Sequence, residues 1–129
     1  VDYYHGVAFL ENKQKKLSIN KSNKNDIIKI LGAPSTESIL NGDLWIYIEN
    51  RKSKSSLLKL GKEIVITNNV LVLEIDNKGI LKHKKFYDIN DINKINFNKN
   101  QTQMSDKDTF VYSIMSSLRQ KIDSSKNKE

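Results

Sequence analysis

Cysteine is absent from the 129 residues, which excludes disulfides, cysteine-ligated zinc and a thiol nucleophile. One proline and five glycines exclude a collagen-like chain and a Pro/Gly-rich disordered one. No apolar run approaches the ~18 residues that a membrane-spanning helix needs. The HExxH, GxSxG, Walker and GxGxxG motifs are all missing. His5 and His83 stand far apart in the sequence, and neither has metal-ligand spacing. His83 is flanked by Lys82, Lys84 and Lys85, where a solvated strand residue is the plain reading. Asp88-Ile-Asn-Asp-Ile-Asn faintly resembles a calcium loop, but Asn93 stands where that loop needs glycine and Lys99 where it needs glutamate. No cofactor and no metal are expected. With so few poised groups, a binding or assembly role is expected rather than an enzyme.

Lysine, in contrast, is abundant. The chain has 22 Lys+Arg, only Arg51 and Arg119 being arginine, against 15 Asp+Glu, for a formal charge of +7. Nucleic-acid readers rely on arginine for bidentate contacts, and the lysines here are spread along the chain. Abundant Ile and Asn beside Lys fit an AT-rich coding bias, so no nucleic-acid partner is expected. Weak attraction to an anionic membrane surface fits better, at ~1 kcal/mol for each nearby Lys. The length suits one modest core. Val1 in place of Met leaves open a removed leader.

Residues 1–8 read as an extended lead-in, and Phe9 to Leu17 as a short helix using Phe9, Leu10 and Leu17. A second helix is clearer. Ser22 is its expected N-cap, with Ile19 as a staple before it, and Ile27, Ile28, Ile30 and Leu31 form its apolar face. Gly32 stands where a left-handed residue ends a helix, and Pro34 prevents continuation. The period then changes to two. Thr36–Leu40 and Leu44–Asn50 flank Asn41-Gly42, the strongest short hairpin signal in the chain. In the return strand Leu44, Ile46 and Ile48 alternate with Trp45 and Tyr47, so both faces are expected to be partly buried. A polar loop follows at 51–62. Glu63–Asp76 is a strand pattern with a bulge or kink expected at Thr67-Asn68-Asn69. Asp76-Asn-Lys-Gly79 is a hairpin turn with Gly79 in the left-handed position. Ile80–Tyr87 reads as an edge strand. Residues 88–107 are expected to be extended, and Asp108 to cap a helix through Ile122 with Phe110, Val111, Ile114, Met115, Leu118 and Ile122 on one face.

Three strings carry a resemblance. Asp26-Ile-Ile-Lys-Ile-Leu-Gly-Ala-Pro-Ser35 is followed by Asn41-Gly-Asp-Leu-Trp-Ile-Tyr-Ile48 and then by Val70-Leu-Val-Leu-Glu-Ile-Asp-Asn-Lys-Gly-Ile80. In this order the L-G-x-P, N-G, W-x-Y and D-x-x-G segments resemble the BamE family, also called SmpA or OmlA, of outer-membrane β-barrel assembly lipoproteins. The Tyr4-His5-Gly6 lead-in is similar to the family's start, and the long tail resembles the α-proteobacterial version with a C-terminal extension. Three departures stand out: Asn20-Lys21 replaces the usual Gly-Met before the cap, Ile75 replaces a common Phe, and Glu49-Asn50 replaces an aromatic-Arg pair found in some members.

The resemblance implies an α+β fold, with two N-terminal helices on a three-stranded antiparallel sheet, an optional short extra strand and a C-terminal amphipathic helix. It implies a BamE-like domain over 1–88 and, over 89–129, an extended segment and helix packing on that domain or on a partner. The implied role is a non-catalytic subunit of the barrel-assembly machine. Such a subunit braces a partner lipoprotein and the barrel subunit at the periplasmic face of the outer membrane, with weak affinity for anionic lipid. Anchorage would require an upstream lipidated Cys. His5, Gly6, Ser35 and Thr36 are the expected partner or lipid contacts. Trp45 and Tyr47 have two readings, as partner anchors or as core. Gly32, Pro34, Asn41, Gly42 and Gly79 are expected to be structural. The rival reading is a free periplasmic inhibitor-like protein-binding module.

Overall fold

The computed structural model describes residues 2–39, 43–54, 64–94 and 105–126. Unit one, Val1–Asp88, is an α+β layer structure. Its sheet is built on β3 (Asp43–Lys54), the strand that carries Trp45 and Tyr47. β4 (Ile64–Ile75) runs antiparallel along all of β3, from Asp43 opposite Ile75 to Lys54 opposite Ile64. β5 (Leu81–Tyr87) pairs with the other side of β4. The free edge of β3 takes two short strands end to end. β2 (Thr36–Ser38) lies opposite Leu44–Ile46, and β1 (Asp2–Gly6) opposite Glu49–Ser53. Asn41 and Gly42 lie outside the described residues.

The α+β fold is as expected, with three main antiparallel strands, and the sheet carries two short edge strands where one optional extra strand was expected. The lead-in is not merely extended but is a paired strand, and residues 51–54, expected in a loop, continue β3. The expected bulge at Thr67–Asn69 is absent, and the irregularity falls instead between Glu74 and Ile75. The polar run has a physical reason: it matches the polar end of β3. Asn69 Nδ2 donates to Glu49 across the ladder at 2.8 Å, and Arg51 donates to Thr67 Oγ1 at 3.3 Å.

The two sheet faces are unlike. Trp45 and Tyr47 lie opposite Leu73 and Leu71, and with Ile75 and Leu81 they form the face on which the helices pack. Leu44, Ile46, Val70 and Val72 are buried on the reverse face. The helical layer is α1 (Leu10–Gln14) and α2 (Lys24–Leu31). Leu10, Leu17, Ile27 and Leu31 enter the core from it, each contributing ~1.5–3 kcal/mol of apolar burial before the cost of ordering. Ile28, expected on the apolar face, and Ile19, expected as a staple, are instead exposed at 43% and 39%. Ile27 and Leu31, four apart on one face, are buried, and Ile30 beside them packs partly buried against the core, whereas Ile28 turns outward.

Asn23, not Ser22, caps α2. Its side chain accepts from the Asp26 N–H while Asp26 accepts from the Asn23 N–H, a capping box. Ser22 Oγ accepts from the Ser18 N–H one turn earlier, at 2.8 Å. Gly32 ends the helix at φ 78, a value that favours glycine. The start of α2 is tied to the β4–β5 turn, where Gly79 (φ 82) accepts from the Lys24 N–H and Ser22 accepts from the Leu81 N–H. Lys24 also pairs with Asp43 and lies 5.7 Å from the Trp45 ring centroid.

Asp76 organises that turn by accepting from the N–H groups of Lys78 and Ile80, each at 2.9 Å. The Ile80 N–H foremost, with help from Lys78 and Lys82, holds its carboxyl below the ordinary value of 3.8. A folded-state value below the unfolded one contributes stability above about pH 4 and loses it as pH falls further. Asp76→Asn keeps the Oδ1 acceptor but not the charge, so its melting temperature should fall less than wild type's between pH 5 and pH 2. Equal losses in thermal melts would remove this role.

Unit two, Ile89–Glu129, contains α3 (Ile89–Lys94) and α4 (Asp106–Lys126), which pack on each other. The expected extended chain begins instead with α3. Its Asp91 in the first turn and Lys94 in the last match the helix dipole, and Ile92 is buried. α4 starts before the expected Asp108, because Ser105 Oγ accepts from the Asp108 N–H, and it runs past the expected Ile122 to Lys126. Val111, Met115 and Leu118 form its buried stripe, with Phe110 and Ile114 half-buried. The side chain of Ile122 lies outside the described residues. No helix among the described residues is long and apolar enough to cross a membrane.

Candidate docking surface

Several of the expected contact residues meet along one edge of β3. β2 and β1 leave a gap opposite Ile48, and their flanking residues fill it. The Ser35 N–H donates to the Ile46 carbonyl at 2.9 Å, the Ile48 N–H donates to Ser35 Oγ at 3.1 Å, and the Val7 N–H donates to the Ile48 carbonyl at 3.0 Å. Ser35 thereby serves as a splice between two strands. Thr36, half-buried, pairs with Ile46, and the backbone of His5 with Asn50. Gly6 faces Glu49 at φ 80, where any Cβ would overlap the Ile48 carbonyl oxygen. Pro34 is half-buried on the way out of α2.

Trp45 and Tyr47 are core residues, exposed at 7% and 0%. The Tyr47 hydroxyl donates to the Gly32 carbonyl at 2.7 Å, which ties the end of α2 to the sheet. Burial first, and the Glu37 charge second, push this phenol well above the usual tyrosine range, so the hydroxyl stays a donor. The alternation of β3 aims both rings at the helices.

Two charged residues with no role assigned from the sequence also point at the helices. Glu49 is two residues beyond Tyr47, so the period of two puts it on the same face, and it is 5% exposed. Its Oε2 accepts from the Phe9 N–H at 2.8 Å, and its Oε1 accepts from Asn69 at 2.8 Å and from the Leu10 N–H at 3.4 Å. Lys84 lies opposite Leu73, and its Nζ donates to the Gln14 and Leu17 carbonyls, each at 2.9 Å. Burial pulls its ammonium below the usual lysine value. A charge at an inward position of an apolar strand was the available signal for Glu49. Lys84 carried none, being one of several lysines in its strand.

Among the exposed large apolar side chains, Ile39 (80%) follows β2 at this edge, and Phe9, Ile19 and Ile28 belong to the segment of the helical layer. Phe9 stands outside the core at 59% exposure in a left-handed conformation (φ 57), unusual for a bulky residue. With Ile19 and Ile28 it dots the segment that forms the helical layer, among exposed Lys15, Lys16, Lys21 and Lys29. Such a surface suits contact with an apolar, acidic protein face. Among the described residues no group of acidic or histidine side chains could hold a metal.

No curated protein gives a significant match to the chain. A family model does, over residues 8–85, from Ala8 beside the Gly6 splice to Lys85 on β5, and its description is outer membrane protein assembly factor BamE domain.

Proposed function

The chain belongs to the BamE family of outer membrane protein assembly factors, and from that membership we propose that it is a non-catalytic subunit that braces its neighbours in the barrel-assembly machine. Members of the family work with other barrel-assembly factors on the periplasmic side of the outer membrane. This chain would sit there through a lipid anchor carried upstream, touching a partner lipoprotein and the barrel subunit. A weak pull of its lysines toward anionic headgroups would accompany that contact.

The observation that carries the reading is the division of labour between the layers. The Trp45–Tyr47 face is consumed by the core, whereas Phe9, Ile19 and Ile28 present apolar groups among lysines. The helical layer is therefore the docking face in this proposal. Co-purification tests it. A tagged full-length chain should retain a barrel-assembly subunit from envelope extracts, and Ile28→Glu should reduce that retention by about tenfold or more, as loss of an interface contact of ~1.4 kcal/mol does. A chain recovered alone from the extracts would favour the free inhibitor-like module instead.

A further inference from the structure

The helix α1 has five residues, far below the ~12–15 at which an isolated helix becomes even marginal. Its N-cap, Phe9, provides no side-chain cap. The sheet beneath provides both ends instead. Glu49 from β3 accepts the Phe9 and Leu10 N–H groups, and Lys84 from β5 donates to the Gln14 and Leu17 carbonyls. β3 and β5 flank β4, so they stand about 9.5 Å apart at the usual strand spacing. The five residues rise roughly 7.5 Å, and with its flanking residues the segment spans that gap over β4, which it contacts. The signs agree with the helix dipole, anionic at the N-terminal end and cationic at the C-terminal end. The bonds run between residues 39 to 70 positions apart, so the segment 9–17 does not hold this form by itself.

We propose that Glu49 and Lys84 are positioning residues for the docking face: they clamp α1 across the sheet by its two ends and so set the outward pose of Phe9. The Glu49 carboxylate pins the Phe9 N–H, which fixes the left-handed turn. Leu10 then points into the core and the Phe9 ring points out. Asn69 steadies the carboxylate from β4. A clamp made of two charge-assisted contacts differs from simple packing, because it can be opened at either end without disturbing the apolar contacts of Leu71 and Leu73. The role of Phe9 in docking rests on the function proposed above, while the clamp does not.

Amide hydrogen exchange on the full chain, read beside co-purification, tests both parts. Glu49→Gln should speed exchange at Phe9 and Leu10 by about ten- to a hundredfold, the factor that loss of a charge-assisted hydrogen bond gives. Lys84→Met should do the same at Lys16 and Leu17, and Lys84→Arg should restore slow exchange. The amides of Leu71 and Leu73 should be unchanged in all three, and partner retention should fall in Glu49→Gln and Lys84→Met. If Glu49→Gln does not fold, the Lys84 pair carries the test. Unchanged exchange in α1, equal acceleration in the sheet, or no rescue by Arg would overturn the clamp. A loosened α1 with undiminished retention would overturn the positioning role. A wild-type chain that retains no partner, with α1 responding as expected, would sink the docking reading alone and support the clamp.

Discussion

Tyr47→Ala is expected to destabilise the fold by about 3–5 kcal/mol, the range for removing a buried aromatic ring. The ring is fully buried between the sheet and the helical layer, and its hydroxyl holds the Gly32 carbonyl. Tyr47→Phe removes only the hydroxyl and should cost about 1–3 kcal/mol, because the Gly32 carbonyl then loses its donor. Urea denaturation separates this from the alternative that the ring anchors a partner. An anchor facing solvent would leave the midpoint nearly unchanged and abolish binding only. The structural role predicts a large shift in midpoint with the slope preserved.

The second large effect is expected at Gly6. Its backbone combines φ 80 with a Cβ position that falls on the Ile48 carbonyl oxygen. Gly6→Ala therefore meets strain and overlap together. β1 should be driven off β3 rather than the core rearranged, because the clash is with backbone, which cannot rotate away. The expected cost is about 1–3 kcal/mol. Amide exchange at Asn50 and Lys52, whose backbones face β1, should rise while that at Leu71 stays slow. Protection of Asn50 equal to wild type would show that β1 accommodates the methyl group. Gly32→Ala is a useful contrast, since Gly32 has a similar φ but open space at its Cβ position.

The local features were legible in the sequence and the long-range ones were not. Gly32, Pro34, the Asp76–Gly79 turn and the alternation around Trp45 and Tyr47 depend on near neighbours, and the structure places each in the expected element. β1 was missed because its partner, Glu49–Ser53, lies more than 40 residues away, and a short polar-aromatic lead-in carries no period. The continuation of β3 through Arg51–Lys54 was missed for a related reason. Its residues look like a loop until β4 is seen to supply Thr67 as a polar partner for Arg51. Ile28 was misplaced because a run of isoleucines shows an apolar helix without showing where its core contact ends.

The candidate contact residues depend on long-range geometry more than the fold does. Gly6, Ser35 and Thr36 do converge, but the geometry gives Gly6 and Ser35 a part in splicing the edge of β3. Trp45 and Tyr47 had two readings, and their burial places them in the core. Phe9 was expected inside its helix and instead precedes it, exposed. A left-handed residue held by a carboxylate from 40 positions away leaves no mark in a local pattern.

Site-specific photocrosslinking in intact envelopes tests most directly where this assembly factor meets its neighbours. A photoreactive residue at Phe9 or Ile28 should form adducts with a barrel-assembly subunit, and the same residue at exposed Lys85 on β5 should form none. Adducts from Lys85 with none from Phe9 or Ile28 would contradict docking through the helical layer.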